Sequence, residues 1–456
     1  NNTADGRIIL FNVFEGLIKP NTDGTFMPCI AESWTVSPDS LVYSFTLREG
    51  IRFHDGSIVT AKDVKFSLDT AKDNGFNGLD TINEVIIQGE NQINVVLNNP
   101  DPDFLPFLTV GIVKAENTDR ESSVIGTGPF YIESYITQRH LVLKRFDDYW
   151  QRFLSPPHEI PYLEKVTIVF FANYEAMMTS LRSGNIDGAS LTGSDIAQLD
   201  KNNFDFVHNY SSAVQLLALN NAHTPLDDIR VRKAINYGID VQGIIDAAFF
   251  GHGSHSGSPI IPGLSVYFES SLGYLYDPDM AKEYLAQAGF NENTKLNLEI
   301  TVPSNFGMHV DTAQVIADQL EKIGIQVNIR LVDWNTWLSD VYRQRNYQAT
   351  VISLDSPVVS PRRCLTRYHS TNNNNFINFV NKDYDNTFDS IMTEIDSEKR
   401  INLYKEAQKI ITTNAASVFI QDIVYYMVFR KGLFGGALNY PLYIIDFSTI
   451  YRIKNN

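Results

Sequence analysis

The residues from Leu296 to Leu331 restrict the fold more than any other stretch of this chain. Leu296, Leu298, Ile300 and Val302 alternate with polar neighbours, the period-2 pattern of a half-buried strand. Val310, Ala313, Ile316, Leu320 and Ile323 then fall three or four residues apart, on one face of a helix. Gly324 supplies a C-cap, and Ile325, Val327, Ile329 and Leu331 alternate again. Strand, helix and strand in this order form a βαβ unit, because two parallel strands need a crossover longer than a hairpin turn. The chain must therefore contain an α/β layer with a parallel pair of strands.

A second alternation precedes it. Val166–Phe171 reads as a buried strand, and Tyr174–Arg182 as a helix stopped by Gly184. Ile186–Leu191 reads as another strand, Asp195–Leu199 as a short helix and Val214–Leu219 as a third strand. This order predicts parallel pairing in another α/β lobe. Ordinary amphipathic helices follow around Val231–Ile235, Ile244–Ile245 and Ala281–Leu285, and Val418–Phe429 is a long aromatic strand. The first third is β-rich: Ile8–Phe11 and Leu41–Leu47 are strand-like, and Gly50–Gly56 is bounded by turns. Thr60-Ala-Lys-Asp63 is a capping box opening a helix to about Lys72, and Glu84–Gln88 and Gln92–Leu97 form a hairpin around Gly89-Glu-Asn. Two α/β units separated in sequence imply two lobes with a ligand between them.

Composition narrows the function. A formal charge of −16 over 456 residues excludes nucleic acid as a partner, since that affinity comes from clustered Lys and Arg. No run approaches eighteen apolar residues. Two distant cysteines, Cys29 and Cys364, exclude a disulfide framework and a cysteine-built zinc site, and read as unpaired buried thiols. Gly126-Thr-Gly128 has no following Lys-Ser/Thr and reads as a tight turn, not a phosphate loop. Neither Gly-x-Ser-x-Gly nor His-Glu-x-x-His occurs, which weighs against a secreted hydrolase. Carboxylate pairs for glycoside hydrolysis are a matter of three-dimensional spacing that sequence leaves open.

Asn12-Val-Phe-Glu-Gly-Leu17, Pro28–Trp34, Tyr43–Gly56 and Thr60–Leu68 follow one another in an order found elsewhere. Gly126–Tyr131, Asp148-Tyr-Trp150, Leu181–Asp187 and Pro225–Asn236 continue it. In these segments the chain resembles bacterial solute-binding protein family 5, the peptide- and nickel-binding receptors of ABC importers. The resemblance implies an α/β, two-lobed periplasmic-binding-protein-like (Venus flytrap) fold with an extra β-rich subdomain in lobe I. Lobe I is expected over 1–258, with the subdomain at 33–164, lobe II over 259–430, and a return to lobe I over 431–456. The family's usual first strand would precede Asn1, so a processed or trimmed N-terminus is expected. The implied protein is an extracytoplasmic monomer in the periplasm or lipid-anchored at the outer face of the cell membrane. It carries no cofactor, performs no chemistry, and delivers short peptides to permease and ATPase subunits. The alternative ligand within the family is nickel or another metal in a small organic chelator.

The resemblance also implies where the ligand is held. Enclosed peptide termini need opposite charges, and the family often supplies an acid from an Asp-x-x-Asp-Pro stretch. Here that stretch is Leu354–Arg363: Asp355 is present, Val358, Val359 or Ser360 stands in place of the second acid, and Arg362, Arg363 and Arg367 follow. A guanidinium fork suits a carboxylate, so these arginines are candidates to clamp an anion, with Tyr368 beside them. His369 lies where some nickel-binding members place a metal-touching histidine, and would serve only with a metal chelate. Arg145, five residues before Trp150, stands where chelate-binding relatives hold a carboxylate. Trp34 is a candidate platform, although Trp34 and Trp150 read first as packing residues. Asp227-Asp228 reads as a helix cap, and His252 and His255 as part of a flexible glycine-rich loop.

Overall fold

A computed structural model describes residues 4–453 apart from 77, 116–123, 155–159, 356–357 and 443. Ser356 and Pro357 of the acid-bearing stretch thus lie outside the described residues. The chain forms two compact units: 1–191 with 199–209 and 426–456, and 192–198 with 210–425.

The first unit opens with a helix, α1 (Ala4–Val13), where Ile8–Phe11 had read as a strand. A four-residue apolar run suits either element, and packing decides. Val13 is buried with Phe130, Leu141 and Leu143, and Ile9 packs against that cluster, as a helical turn allows. The amide of Asn12 donates to the Ile8 and Ile445 carbonyls at 2.8 and 2.7 Å, tying α1 to the C-terminal segment. Strands β1 (Ala31–Val36) and β2 (Val42–Leu47) form an antiparallel sheet with β3 (Ile82–Ile87) and β4 (Gln92–Leu97), in the order β1-β2-β4-β3. Helix α2 (Ala61–Asp73) starts at the predicted capping box, with the Thr60 N–H and hydroxyl both donating to Asp63.

Strands β5 (Phe130–Ile136), β6 (His140–Arg145) and β7 (Lys165–Val169) form a second antiparallel sheet. The strand at Val166 is its edge and not part of a parallel layer, because Leu143 pairs with Val166 and Leu141 with Ile168. These residues cover Val13 and Phe130, and strand–helix alternation in sequence does not reveal that partner. The helix expected next is α3 (Tyr174–Ser183), closed by Gly184 at φ 79°.

Gly126 and Gly128 do not make a tight turn. They lie where the chain crosses the end of α1, and a Cβ on Gly126 would sit 2.0 Å from the Val13 carbonyl oxygen. Gly128 N–H donates to that same carbonyl at 2.9 Å. Below them the buried carboxylate of Glu15 accepts from Tyr149 Oη at 2.6 Å and Trp150 Nε1 at 2.9 Å. Burial pushes its pKa up. Trp150 is therefore held in the interior, with the Arg48 guanidinium over its ring.

The second unit is built on a mixed sheet. Strand β8 (Phe204–Leu219) is followed by helices α4 (Ile229–Gly238) and α5 (Val241–Phe249). Then come β9 (Leu296–Pro303), α6 (Gly307–Glu321), β10 (Ile325–Val332) and β11 (Ala349–Asp355). After α7 (Pro361–Leu365), α8 (Lys382–Thr393) and α9 (Ser397–Thr413), the long strand β12 (Ser417–Arg430) completes it. The order is β12-β8-β11-β9-β10. The predicted βαβ unit is present: β9 and β10 are parallel from Leu296↔Ile325 to Pro303↔Val332, and Gly324 has φ 92°.

Residues 210–258 belong to this second unit, so the boundary expected at Pro259 falls inside it. The reason is the core: Leu217, Leu219, Val231 and Ile235 are buried in one cluster with Leu298, Ile300, Ile316 and Leu320. Asp228 caps α4 by accepting from Arg230 N–H. Gly253–His255 is not a free loop but a short strand on β12. Both cysteines are unpaired, Cys29 buried and Cys364 half-buried.

One face of the sheet holds a polar chain. Gln421 Nε2 donates to Gln215 Oε1 at 2.9 Å, and Gln215 Nε2 donates to His309 Nδ1 and Thr312 Oγ1. Burial lowers the His309 pKa to about 4, so the folded protein keeps it neutral where an unfolded chain, near 6.5, takes up a proton. The unfolded state thus binds more protons between those values, and His309 lowers stability as pH falls from 6.5 to 4, by about 3 kcal/mol in all. Denaturant melts of wild type and His309→Asn across that range should show a shallower acid slope in the variant. Gly126→Ala should lower stability by about 1–3 kcal/mol, because the Val13 backbone must move, and thermal melting checks it.

Candidate functional site

Strands β10 and β11 both run parallel to β9, so all three end at one edge of the sheet. Ligands in open α/β sheets favour the carboxyl ends of parallel strands, where connecting loops diverge. Phe306 follows β9, Asp333 and Trp334 follow β10, and Asp355 ends β11. Asp333 accepts the backbone N–H groups of Asn335 and Thr336, which fixes the turn carrying Trp334. The Trp334 ring stacks on Trp337 at 5.1 Å and 4°, and Phe306 meets it edge-on at 5.3 Å. Trp337 is buried and donates to Thr350 Oγ1, whereas Trp334 is 37% exposed. Residues 337–343 are wound as a π-helix, a local irregularity often found at functional sites. Trp334 is thus an aromatic platform held from beneath and offered at the strand rim. Sequence reasoning passed over it, although a Trp-x-x-Trp directly after an alternating strand was the available signal.

Five of the expected residues lie together beyond β11. Ser360 is buried and caps α7 by accepting from Arg363 N–H, with Pro361 in the first turn. Arg362 and Tyr368 are buried, and Tyr368 packs between Phe379 and Phe419 as part of the core. Arg367 Nη2 donates to the Asp355 carbonyl at 3.2 Å, pinning the segment to the end of β11. His369 Nδ1 meets Thr371 Oγ1 at 2.9 Å. Its Nε2 is enclosed, 3.4 Å from Asp389 Oδ1 and 3.8 Å from Asp385 Oδ1, which turns the ring toward α8. Arg363 is half-buried, and burial first, then the charge of Arg367, pulls its pKa down, while Asp355 acts the other way. The small-thiol neighbour Cys364 is pushed up to about 11 by burial.

The other two expected residues belong to the first unit. Arg145 Nε donates to Asp147 Oδ1 at 2.9 Å, and Arg152 Nη1 reaches the same oxygen at 2.7 Å. Those bonds hold the Asp147 carboxyl below its usual range. Trp34 is half-buried on β1, its ring tilted against Phe45. A groove of about 500 Å³ in the same unit is lined by Glu32, Glu49, Asp148, Arg48 and Arg52, of which Arg48 is bonded to the Cys29 carbonyl. Its mixed charges and the prior use of Arg48 make it a weaker candidate than the aromatic rim.

Comparison with known proteins shows the family and the fold. The family described as bacterial extracellular solute-binding proteins, family 5, matches residues 25–376. Heme-binding protein A of Haemophilus influenzae is 26% identical, over 87% of this chain and 78% of that protein. Di/tripeptide-binding protein 2 of Pseudomonas aeruginosa is also 26% identical, over 93% and 86%. The crystal structure of the ABC transporter substrate-binding protein CtaP of Listeria monocytogenes superposes with TM-score 0.87 at 22% identity, covering 100% of this chain and 96% of that one. The fold is that of the two-lobed periplasmic binding proteins.

The two stacked tryptophans should separate on mutation. Trp337→Ala, which empties a buried site, should cost about 3–5 kcal/mol in denaturant unfolding. Trp334→Ala should leave unliganded stability within about 1 kcal/mol, as surface changes do, yet weaken ligand binding.

Proposed function

We propose that this chain, which belongs to the bacterial extracellular solute-binding proteins of family 5, captures short peptides and passes them to the permease of an ABC importer. The observation that carries the reading is the strand rim of the second unit, where the exposed Trp334 platform and Asp355 stand at the ends of β10 and β11, the two strands that flank β9. A peptide brings apolar side chains, which an aromatic face covers, and an ammonium, which a carboxylate neutralises. The di/tripeptide-binding relative, alike over most of both chains, supports the same ligand class. No helix among the described residues is long and apolar enough to cross a membrane. The protein acts outside the cytoplasm, in the periplasm or lipid-anchored to the outer face of the cell membrane, and leaves its ligand chemically unchanged.

Native mass spectrometry with a tripeptide mixture should show one-to-one adducts with the intact peptide mass. A peptide present at a hundred times its Kd should stabilise the fold by about 2.7 kcal/mol, seen as a higher melting temperature. Stoichiometric metal in the purified protein, with no response to peptides, would overturn the reading in favour of a metal chelate. Steady peptide turnover by rigorously purified protein would overturn the absence of chemistry.

A further inference from the structure

The groove of about 500 Å³ in the first unit has a fixed floor. Trp150 lines it and gives its indole N–H to the buried Glu15 carboxylate, which sets the ring. The Arg48 guanidinium lies over that ring at 4.6 Å. Arg48 follows the last residue of β2, and its backbone N–H and Nε donate at 2.9 Å to the consecutive carbonyls of Ile30 and Cys29. Stacking and the Nε bond orient the planar fork and leave its Nη edge over. Among the described residues, neither Arg48 Nη has a hydrogen bond, and no carboxylate lies within ion-pair distance of them.

The other charged groups of the groove divide in the same way. Glu49 accepts from Asn91 Nδ2 at 3.0 Å, and Arg52 Nη1 donates to the Gly56 carbonyl at 2.7 Å. The exposed carboxylates of Glu32 and Asp148 have no hydrogen bond and no cation within ion-pair distance among the described residues. Phe153, on the same groove, is 72% exposed. An inorganic anion would pair with Arg48 but meet the like charges of Glu32, Glu49 and Asp148. A diamine would leave the half-buried Arg48 without an acceptor. A small molecule with both charges and an apolar group satisfies every unused partner.

We propose that this groove is a second ligand site, in addition to the strand rim of the other unit, and that it holds a free α-amino acid with an aromatic or aliphatic side chain. The carboxylate of the amino acid accepts from the Arg48 Nη edge, its ammonium donates to Glu32 or Asp148, and its side chain covers Phe153. The inference does not depend on the peptide reading.

Calorimetric titration with L-phenylalanine tests it, with L-phenylalaninamide and 3-phenylpropanoate as probes that each lack one charge. L-phenylalanine should bind more than tenfold tighter than the amide, which loses the Arg48 bond. It should bind about fivefold tighter than the propanoate, which loses only a pair with exposed carboxylates. Arg48→Lys, which keeps the charge without the fork, should weaken L-phenylalanine. The double variant Glu32→Gln with Asp148→Asn should weaken it about fivefold and leave the unliganded melting temperature unchanged. Saturating Ala-Ala-Ala should not alter its affinity. Absence of saturable binding of L-phenylalanine to wild type, equal affinity for the three probes, or full affinity in the double variant overturns the second site. Displacement by Ala-Ala-Ala assigns the amino acid to the rim, which overturns the second site and leaves the peptide reading intact. Binding of L-phenylalanine with the expected response of the variants, but of no peptide, supports the groove and removes the peptide reading.

Discussion

The parallel hydrogen-bonded register of β9 with β10 and β11 is the constraint on which the second unit depends. Parallel strands cannot be joined by a tight turn, so each must send its chain out at one edge and bring it back across a face. Phe306, Trp334 and Asp355 are distant in sequence and meet at one rim for that reason alone. The antiparallel partner β8 reaches the rim from the other direction, with Ala213 opposite Asp355. Segment 358–369 then has to pack against the face that β8 and β12 provide, and Tyr368 on Phe419 shows that it does.

The interior that supports this rim is not purely apolar. Gln215, His309, Thr312 and Gln421 share hydrogen bonds under the sheet. Asn220 donates to the Arg345 and Tyr347 carbonyls and accepts from Asn378, which fixes the approach to β11. In the first unit, Glu15 is kept by Tyr149 and Trp150 in the same way. Such groups cost free energy when removed from water, and the cost is offset only when each meets a partner of fitting geometry. They leave few alternative arrangements for the elements that carry them.

Legibility varied with how local the cause was. The βαβ unit, the capping box at Thr60, the glycine stops at Gly184 and Gly324 and the hairpin of β3 and β4 all follow from neighbouring residues, and they lie where the pattern put them. The helix at Ile8–Phe11, the antiparallel pairing of β7 and the close crossing at Gly126 depend on partners more than a hundred residues away or on none that periodicity marks. Of the candidate site, Asp355 was visible in the acid-bearing stretch and the arginines as positive charge in an acidic chain. Trp334 was not, because a tryptophan after a strand is as often buried as exposed, and only its stacking on Trp337 separates the two cases.

By itself, the sequence determined most of the element types, the family and the cluster of cations beyond β11, since these are written in short-range pattern and composition. The tertiary structure alone decided which of those cations is spent and which is open. Three arginines within six residues are equivalent in sequence. Arg362 is buried, Arg367 is bonded to the Asp355 carbonyl, and Arg363 is half-buried, its guanidinium without a hydrogen bond among the described residues. The physical reason is that pairing depends on where carbonyls and carboxylates converge in space, and that convergence is a property of the packed sheet.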